Sequence, residues 1–192
     1  MTSRGPGEVR IAAGRWKGRR LEVPEAARPT SGRARESLFD LLGPRVEGAR
    51  FLDLHSGSGA VGIEAVSRGS ERAVLAETES TVLSRNVARL GSPPELSVLA
   101  CEAGEAVERL SAAGERFDVI FSDPPYGKGT PPPPGIERLV AAGGLVVLQR
   151  DADAPSPEVP GLVHFRERAY GRNVFDFYTR APAGGEPPFK TP

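Results

Sequence analysis

Cysteine occurs once in the 192 residues, at Cys101, which excludes an internal disulfide framework and any zinc site built from several cysteines. No local pattern marks it as a nucleophile, so a buried, inert thiol is expected. Histidine occurs twice. His55 is expected to pack or face solvent, and His164, with no acid or cysteine close by, is assigned to structure. No metal site is expected. No apolar run is long enough to span a membrane, and the opening MTSRGPGEVR lacks the apolar segment of a signal peptide. A cytoplasmic protein with no membrane partner is expected.

Net charge is also absent, but the zero hides an asymmetry. Residues 1–45 carry ten Lys/Arg against five acids, which leaves +5 there and −5 on the rest of the chain. A basic end on an acidic body suggests contact with a polyanion such as nucleic acid, or simply an Arg-rich solvated surface.

The stretch EVRIAAGRWKGRRLEVP runs in short alternations around Gly14 and Gly18, which predicts a β-hairpin. RPTSGRARESLFDLLG then reads as a helix, with Thr30 or Ser31 as N-cap, Ala34, Leu38, Leu41 and Leu42 as its apolar face, and Gly43-Pro44 as its stop. From Arg50 strands and helices alternate. Strands are predicted at RFLDL, RAVLAE, LSVLA, FDVIFSD and GLVVLQ, and helices at 60–68, 79–90, 104–113 and 136–142. Such alternation makes βαβ units and a doubly wound, mostly parallel α/β sheet. GLVHFRERA and NVFDFYTR, with no helix between them, would complete seven strands as an antiparallel terminal pair. Residues 1–8, the run Pro131–Pro134 and the tail after Arg180 are expected to be disordered.

Between the first strand and its helix, DLHSGSGAVG places Gly57, Gly59 and Gly62 in the G-x-G-x-x-G spacing, with Glu77 ending the next strand. Those features alone form the dinucleotide fingerprint, in which Glu77 would take the ribose hydroxyls. Asp53 at the strand mouth shifts the balance. A carboxylate there repels a pyrophosphate, whereas S-adenosylmethionine (AdoMet) has no phosphate and carries a sulfonium and an ammonium. AdoMet suits the loop better than NAD, and a capped turn with no ligand is the third reading.

SDPPYG follows at the end of the fourth predicted strand, on the edge where open α/β sheets bind ligands. Pro124 and Pro125 stiffen the exit from the sheet. Asp123 and the Pro124 carbonyl can accept the two N–H groups of an exocyclic amine, aiming its lone pair at a methyl donor, and Tyr126 can stack on a flipped base. Arg15, Lys17, Arg19 and Arg20, with Trp16 among them, fit phosphate contacts plus one stacking surface.

With these motifs in place, the chain resembles the bacterial 16S rRNA (guanine-N2)-methyltransferases of the RsmD family over roughly residues 9–180. The resemblance rests on RIAAGRWKGRRLEVP, RPTSGRARESLFDLL, FLDLHSGSGAVGIEAVSRGS, DPPY and YGRNVFDFY. It implies a Rossmann-like class I AdoMet-dependent methyltransferase that acts on a guanine of small-subunit rRNA. It places Asp53, Ser56, Gly57, Gly59, Glu77, Glu102 and Asp123 at the cofactor, and Asp123, Pro124, Pro125 and Tyr126 at the target guanine. Arg28, Arg33 and Arg35 join the hairpin cations as expected RNA contacts. The chain departs from the family pattern at His55-Ser56 (commonly Phe-Ala), Glu102 (Asp), Gln149 (Glu) and the Pro-rich stretch after Tyr126. The expected organisation is a basic hairpin and helix over 1–48, a methyltransferase domain over 49–181, and a disordered tail over 182–192. A monomer acting on 16S rRNA within the small subunit is expected. The same chemistry on a DNA base or a protein glutamine, and an NAD-dependent oxidoreductase, are the rival readings.

Overall fold

Two short strands open the chain, β1 (Glu8–Arg10) and β2 (Arg20–Glu22), paired antiparallel with Val9 opposite Leu21. The structure, a computed structural model, describes residues 7–25, 32–124 and 131–181. Helix α1 (Gly32–Leu42) follows and buries Ala34, Leu38 and Leu42, as its apolar spacing predicts, together with Phe39 and, against expectation, Arg35. Gly43-Pro44 does end the α-helix, but the chain continues through a 3-10 turn, Gly43–Val46, before the sheet begins.

The main sheet then builds in βα units, β3 (Arg50–Leu54), α2 (Ala60–Ser67), β4 (Arg72–Ala76), α3 (Thr81–Arg89), β5 (Leu96–Leu99) and α4 (Ala103–Ala112), and continues as the strands β6 (Phe117–Ser122), β7 (Val140–Asp151), β8 (Leu162–Tyr170) and β9 (Asn173–Arg180). The helices form where apolar residues recur at helical spacing: Leu83 and Val87 on α3, and Ala103, Ala106, Val107 and Leu110 on α4. Helix α2 is apolar nearly all round and is buried from Val61 to Ser67.

The order across the sheet is β5-β4-β3-β6-β7-β9-β8. Strands β3 to β7 run parallel, and β9 is antiparallel to both β7 and β8, which is the expected seven-stranded sheet with its antiparallel end. The order reverses beside β3: the chain steps outward to β5 and then returns to the other side of β3 as β6. That reversal opens a crevice at the carboxyl ends of β3 and β6. One face of the sheet packs Phe51, Leu75, Phe121 and Phe175 against α1, α2 and the hairpin residues Ile11 and Leu21. The other packs Leu54, Ile120, Val146 and Tyr178 against α4. The N-terminal hairpin and helix therefore share a core with the sheet.

Three expectations change. The helix predicted over 136–142 is a single 3-10 turn, Ile136–Leu139, because Val140 already pairs with Phe117 and starts β7. Pro131–Pro134 is ordered enough to bury Pro133, whose carbonyl accepts the Ile136 N–H at 3.3 Å. Glu8 is part of β1. The N-cap residues Thr30 and Ser31, the tail 182–192 and residues 1–6 lie outside the described residues.

Candidate active site

The glycine loop leaves β3 and enters α2 under tight local control. Asp53 is 1 % exposed, and its Oδ2 accepts the Gly62 N–H at 2.8 Å. Ser56 Oγ donates to the Asp53 carbonyl at 2.6 Å, and the Ser56 N–H donates across to Ala76 O at 3.0 Å. Gly59 stands at the helix start with φ 80°, and a Cβ there would overlap the Leu83 side chain. Glycine is required at this position both by conformation and by space. Glu77, just past β4, accepts the Gly57 N–H at 2.7 Å and the Glu79 N–H at 3.1 Å, so the acid expected at a ribose braces the loop.

Asp123 and Pro124 leave β6 half-buried on the same edge. The last register pair between β3 and β6 is Leu54 with Ser122, so the glycine loop and the Asp123 loop diverge from adjacent strand ends. Burial raises the pKa of the Asp53 carboxyl to about 8; the Gly62 N–H opposes the rise, and the charges of Asp123 and Glu77 add to it. Three carboxyl groups thus share one crevice, a poor setting for a pyrophosphate and a good one for a cation. Glu102 lies exposed at the start of α4, on the same edge. Pro125 and Tyr126 lie outside the described residues.

The expected RNA residues separate. The turn of the hairpin packs on the far end of α2: Arg15 N–H donates to Ser67 O at 2.8 Å, and Trp16 N–H to Ser67 Oγ at 3.0 Å. Arg15 pairs with Glu95 at 2.8 Å and lies over the Trp16 ring, while Arg19 donates to Arg89 O at the end of α3. Arg15, Trp16, Lys17 and Arg19 therefore sit at the sheet edge opposite the crevice. Arg20 pairs with Glu8 on the hairpin surface. Arg33 is exposed in the first turn of α1; Arg35 meets Glu64 and, one turn on, Phe39 lies under Arg68, so α1 runs in the same sense as α2 and its first turn points toward the crevice end. Arg28 lies outside the described residues.

Arg35 is a correction. It is 2 % exposed, and its Nε donates to Glu64 Oε2 at 2.8 Å and its Nη2 to Arg10 O. A guanidinium enclosed in this way holds α1 to α2 and the hairpin and cannot meet RNA. For His164 the assignment to structure stands, but an acid is close after all: its Nε2 lies 3.0 Å from buried Asp176, in a network with Arg150 and Ser156. Cys101 is buried, as expected, and burial raises its thiol pKa.

Two residues that matter here escaped the sequence reading. Asn86, fully buried on α3, donates to Ser58 O and Glu22 O and accepts the Glu22 N–H, all at 2.9 Å, so it ties β2 to the glycine loop. Glu64, also fully buried, receives Arg35, Arg68 and the Ala12 N–H. The available signal was one polar residue on an otherwise apolar helix face. A polar cleft of about 370 Å³ lined by Glu108, Ser111, Arg116, Arg138 and Arg180 lies at the opposite edge and includes none of the site residues.

A family model described as Conserved hypothetical protein 95 matches residues 9–179. A curated relative from Escherichia coli K12, Ribosomal RNA small subunit methyltransferase D, is 32 % identical over 94 % of each chain. The protein of the same name from Haemophilus influenzae is 36 % identical over 66 % of this chain and 68 % of its own. Among solved structures, a hypothetical protein of Thermus thermophilus superposes with a TM-score of 0.74 at 38 % identity, covering 88 % of this chain and 98 % of its own.

Proposed function

Because the chain belongs to the family described as conserved hypothetical protein 95, that of the ribosomal RNA small subunit methyltransferases D, we propose that it transfers a methyl group from AdoMet to the N2 amine of a guanine in 16S rRNA. The observation that carries this reading is the crevice itself: Asp53, Glu77 and Asp123 converge where the glycine loop and the Asp123-Pro124 exit lie side by side. These residues fit AdoMet, since a buried acid flanked by two others favours a ligand bearing positive charge. Glu77 and the glycine loop would hold its ribose and backbone-facing side, and Glu102 its outer edge. When bound, AdoMet supplies an electrophilic methyl group on a sulfonium.

The chain's own residues supply position and electrostatics. Asp123 and the Pro124 carbonyl accept the two N–H groups of the planar amine, which turns its lone pair out of conjugation. The same acceptors stabilise positive charge as it grows on nitrogen. The proton leaves after transfer, when the charged nitrogen is strongly acidic, and Asp123 is the base placed to receive it. Tyr126 would stack on the base, and Arg33 would meet backbone phosphate on the crevice side.

The test is methyl transfer from labelled AdoMet to small subunits lacking the modification, beside naked 16S rRNA, duplex DNA and Asp123→Ala. Label in the particle that maps to guanine N2 and disappears in the variant is the expected result. Label confined to DNA or protein would retain the cofactor and overturn the substrate.

A further inference from the structure

His55 is one of two non-glycine residues with positive φ among those described, at 61°, and it stands in the crevice at the first residue after β3. Left-handed backbone at a residue with a Cβ is uncommon and clusters at functional sites, where surrounding contacts hold it. The contact that accompanies it here is specific. His55 Nδ1 lies 3.1 Å from Ser122 Oγ, and Ser122 is 1 % exposed and immediately precedes Asp123.

The placement of that contact gives it a role. The ladder between β3 and β6 ends at the pair Leu54–Ser122. Beyond it the two chains part, one into the glycine loop and the other into the Asp123 exit. On its other side the glycine loop is moored to β4 and the residue after it, by Ser56 N–H to Ala76 O and by Gly57 N–H to Glu77. The His55–Ser122 bond is a mooring on the β6 side, tying the first residue past β3 back to Ser122 of the last ladder pair.

We propose that His55 is a positioning residue for methyl transfer, holding the cofactor loop against the strand end that carries Asp123 so that methyl donor and target amine keep one spacing. The inference rests on the proposed methyltransferase reading. In-line transfer is steep in distance, and a misplacement of about 1 Å costs on the order of 100-fold in rate. Cofactor affinity depends on other groups, chiefly the acids and the glycine loop backbone. Loss of the bond should therefore appear in kcat and leave AdoMet binding almost untouched.

The experiment uses the full chain with small subunits as acceptor, measuring kcat, particle KM and AdoMet Kd for His55→Ala, His55→Gly, His55→Asn, Ser122→Ala and the double variant His55→Ala/Ser122→Ala. We expect Ser122→Ala and His55→Ala each to lower kcat by about 10- to 100-fold with AdoMet Kd changed less than about 3-fold. The double variant should be no slower than the slower single, since both remove one bond. Asparagine tolerates left-handed backbone and has an amide that can reach the hydroxyl, so His55→Asn should recover most of the rate. Glycine satisfies the backbone but not the bond, so His55→Gly should remain slow. A fast His55→Gly, losses that multiply in the double variant, or AdoMet affinity that falls in step with kcat would each overturn the role. A wild-type protein that labels no rRNA would overturn the proposed substrate, which is evident before any variant is compared.

Discussion

Burial keeps a proton on Asp53 up to about pH 8 in the ligand-free protein, against the pull of the Gly62 N–H and with the help of Asp123 and Glu77. The folded chain thus binds that proton more tightly than the unfolded chain, whose carboxyl titrates near 3.8. The stabilisation is complete below about pH 4 and is lost as pH rises toward and through 8. Urea midpoints of the free protein should accordingly fall between about pH 6 and pH 9, and Asp53→Asn should flatten that decline. A cationic ligand reverses the preference, so AdoMet binding near pH 7 should release part of a proton. Calorimetry in two buffers of different ionisation enthalpy would detect the release in wild type and miss it in Asp53→Asn, which should also bind AdoMet at least about 10-fold more weakly. The position of Asp53 was legible in the sequence, because it ends a strand ahead of a glycine loop. Its proton was not, because burial and two distant acids set it. The partner of His164 was hidden for a similar reason: Asp176 lies on the next strand, and only the register of β8 against β9 brings them together.

Helix α2 is the element on which the N-terminal part of the chain is assembled. Its Glu64 receives Arg35 from α1 and the Ala12 N–H from the hairpin, and its Ser67 receives the hairpin turn. Glu64→Ala leaves the Arg35 guanidinium enclosed without its carboxylate, which should cost about 3–5 kcal/mol in chemical denaturation. Hydrogen exchange should then rise first at residues 11–22, ahead of the sheet. Gly14 approaches α2 so closely that a Cβ would overlap the Ser67 carbonyl, and its φ of 80° disfavours any side chain. Gly14→Ala should cost about 1–3 kcal/mol and lift the turn from the helix without altering AdoMet affinity. The βα alternation was readable because each element carries its own periodicity. The segment 136–142 was misread because Ala141 and Ala142 suit a helix, while Val140 is taken by pairing with Phe117, a tertiary contact that local propensity does not contain.

Across the whole molecule, two basic features lie at opposite ends of a sheet whose central strands are roughly 15–20 Å long. Arg33 is on the crevice side, and Lys17 with Arg15 is on the other. If rRNA is read at the crevice, Arg33→Glu should raise the particle KM several-fold and reduce its salt dependence, and Lys17→Glu should do so less, both with kcat nearly unchanged. Equal effects would mean that the substrate reaches around to the far edge. Composition announced the basic end of the chain but not that its members face different ways. Arg35 shows why: a charge 29 residues from its partner turns inward only because two helices meet. The same long-range ties bear on synthesis. The hairpin precedes in the chain every helix that anchors it, yet β1 and β2 pair over three residues each, too few to persist alone. Their anchors are Glu64, Ser67, Asn86 and Arg89. During synthesis the hairpin must therefore wait for its full set of anchors until α3 has emerged, and it closes onto a glycine loop made after it.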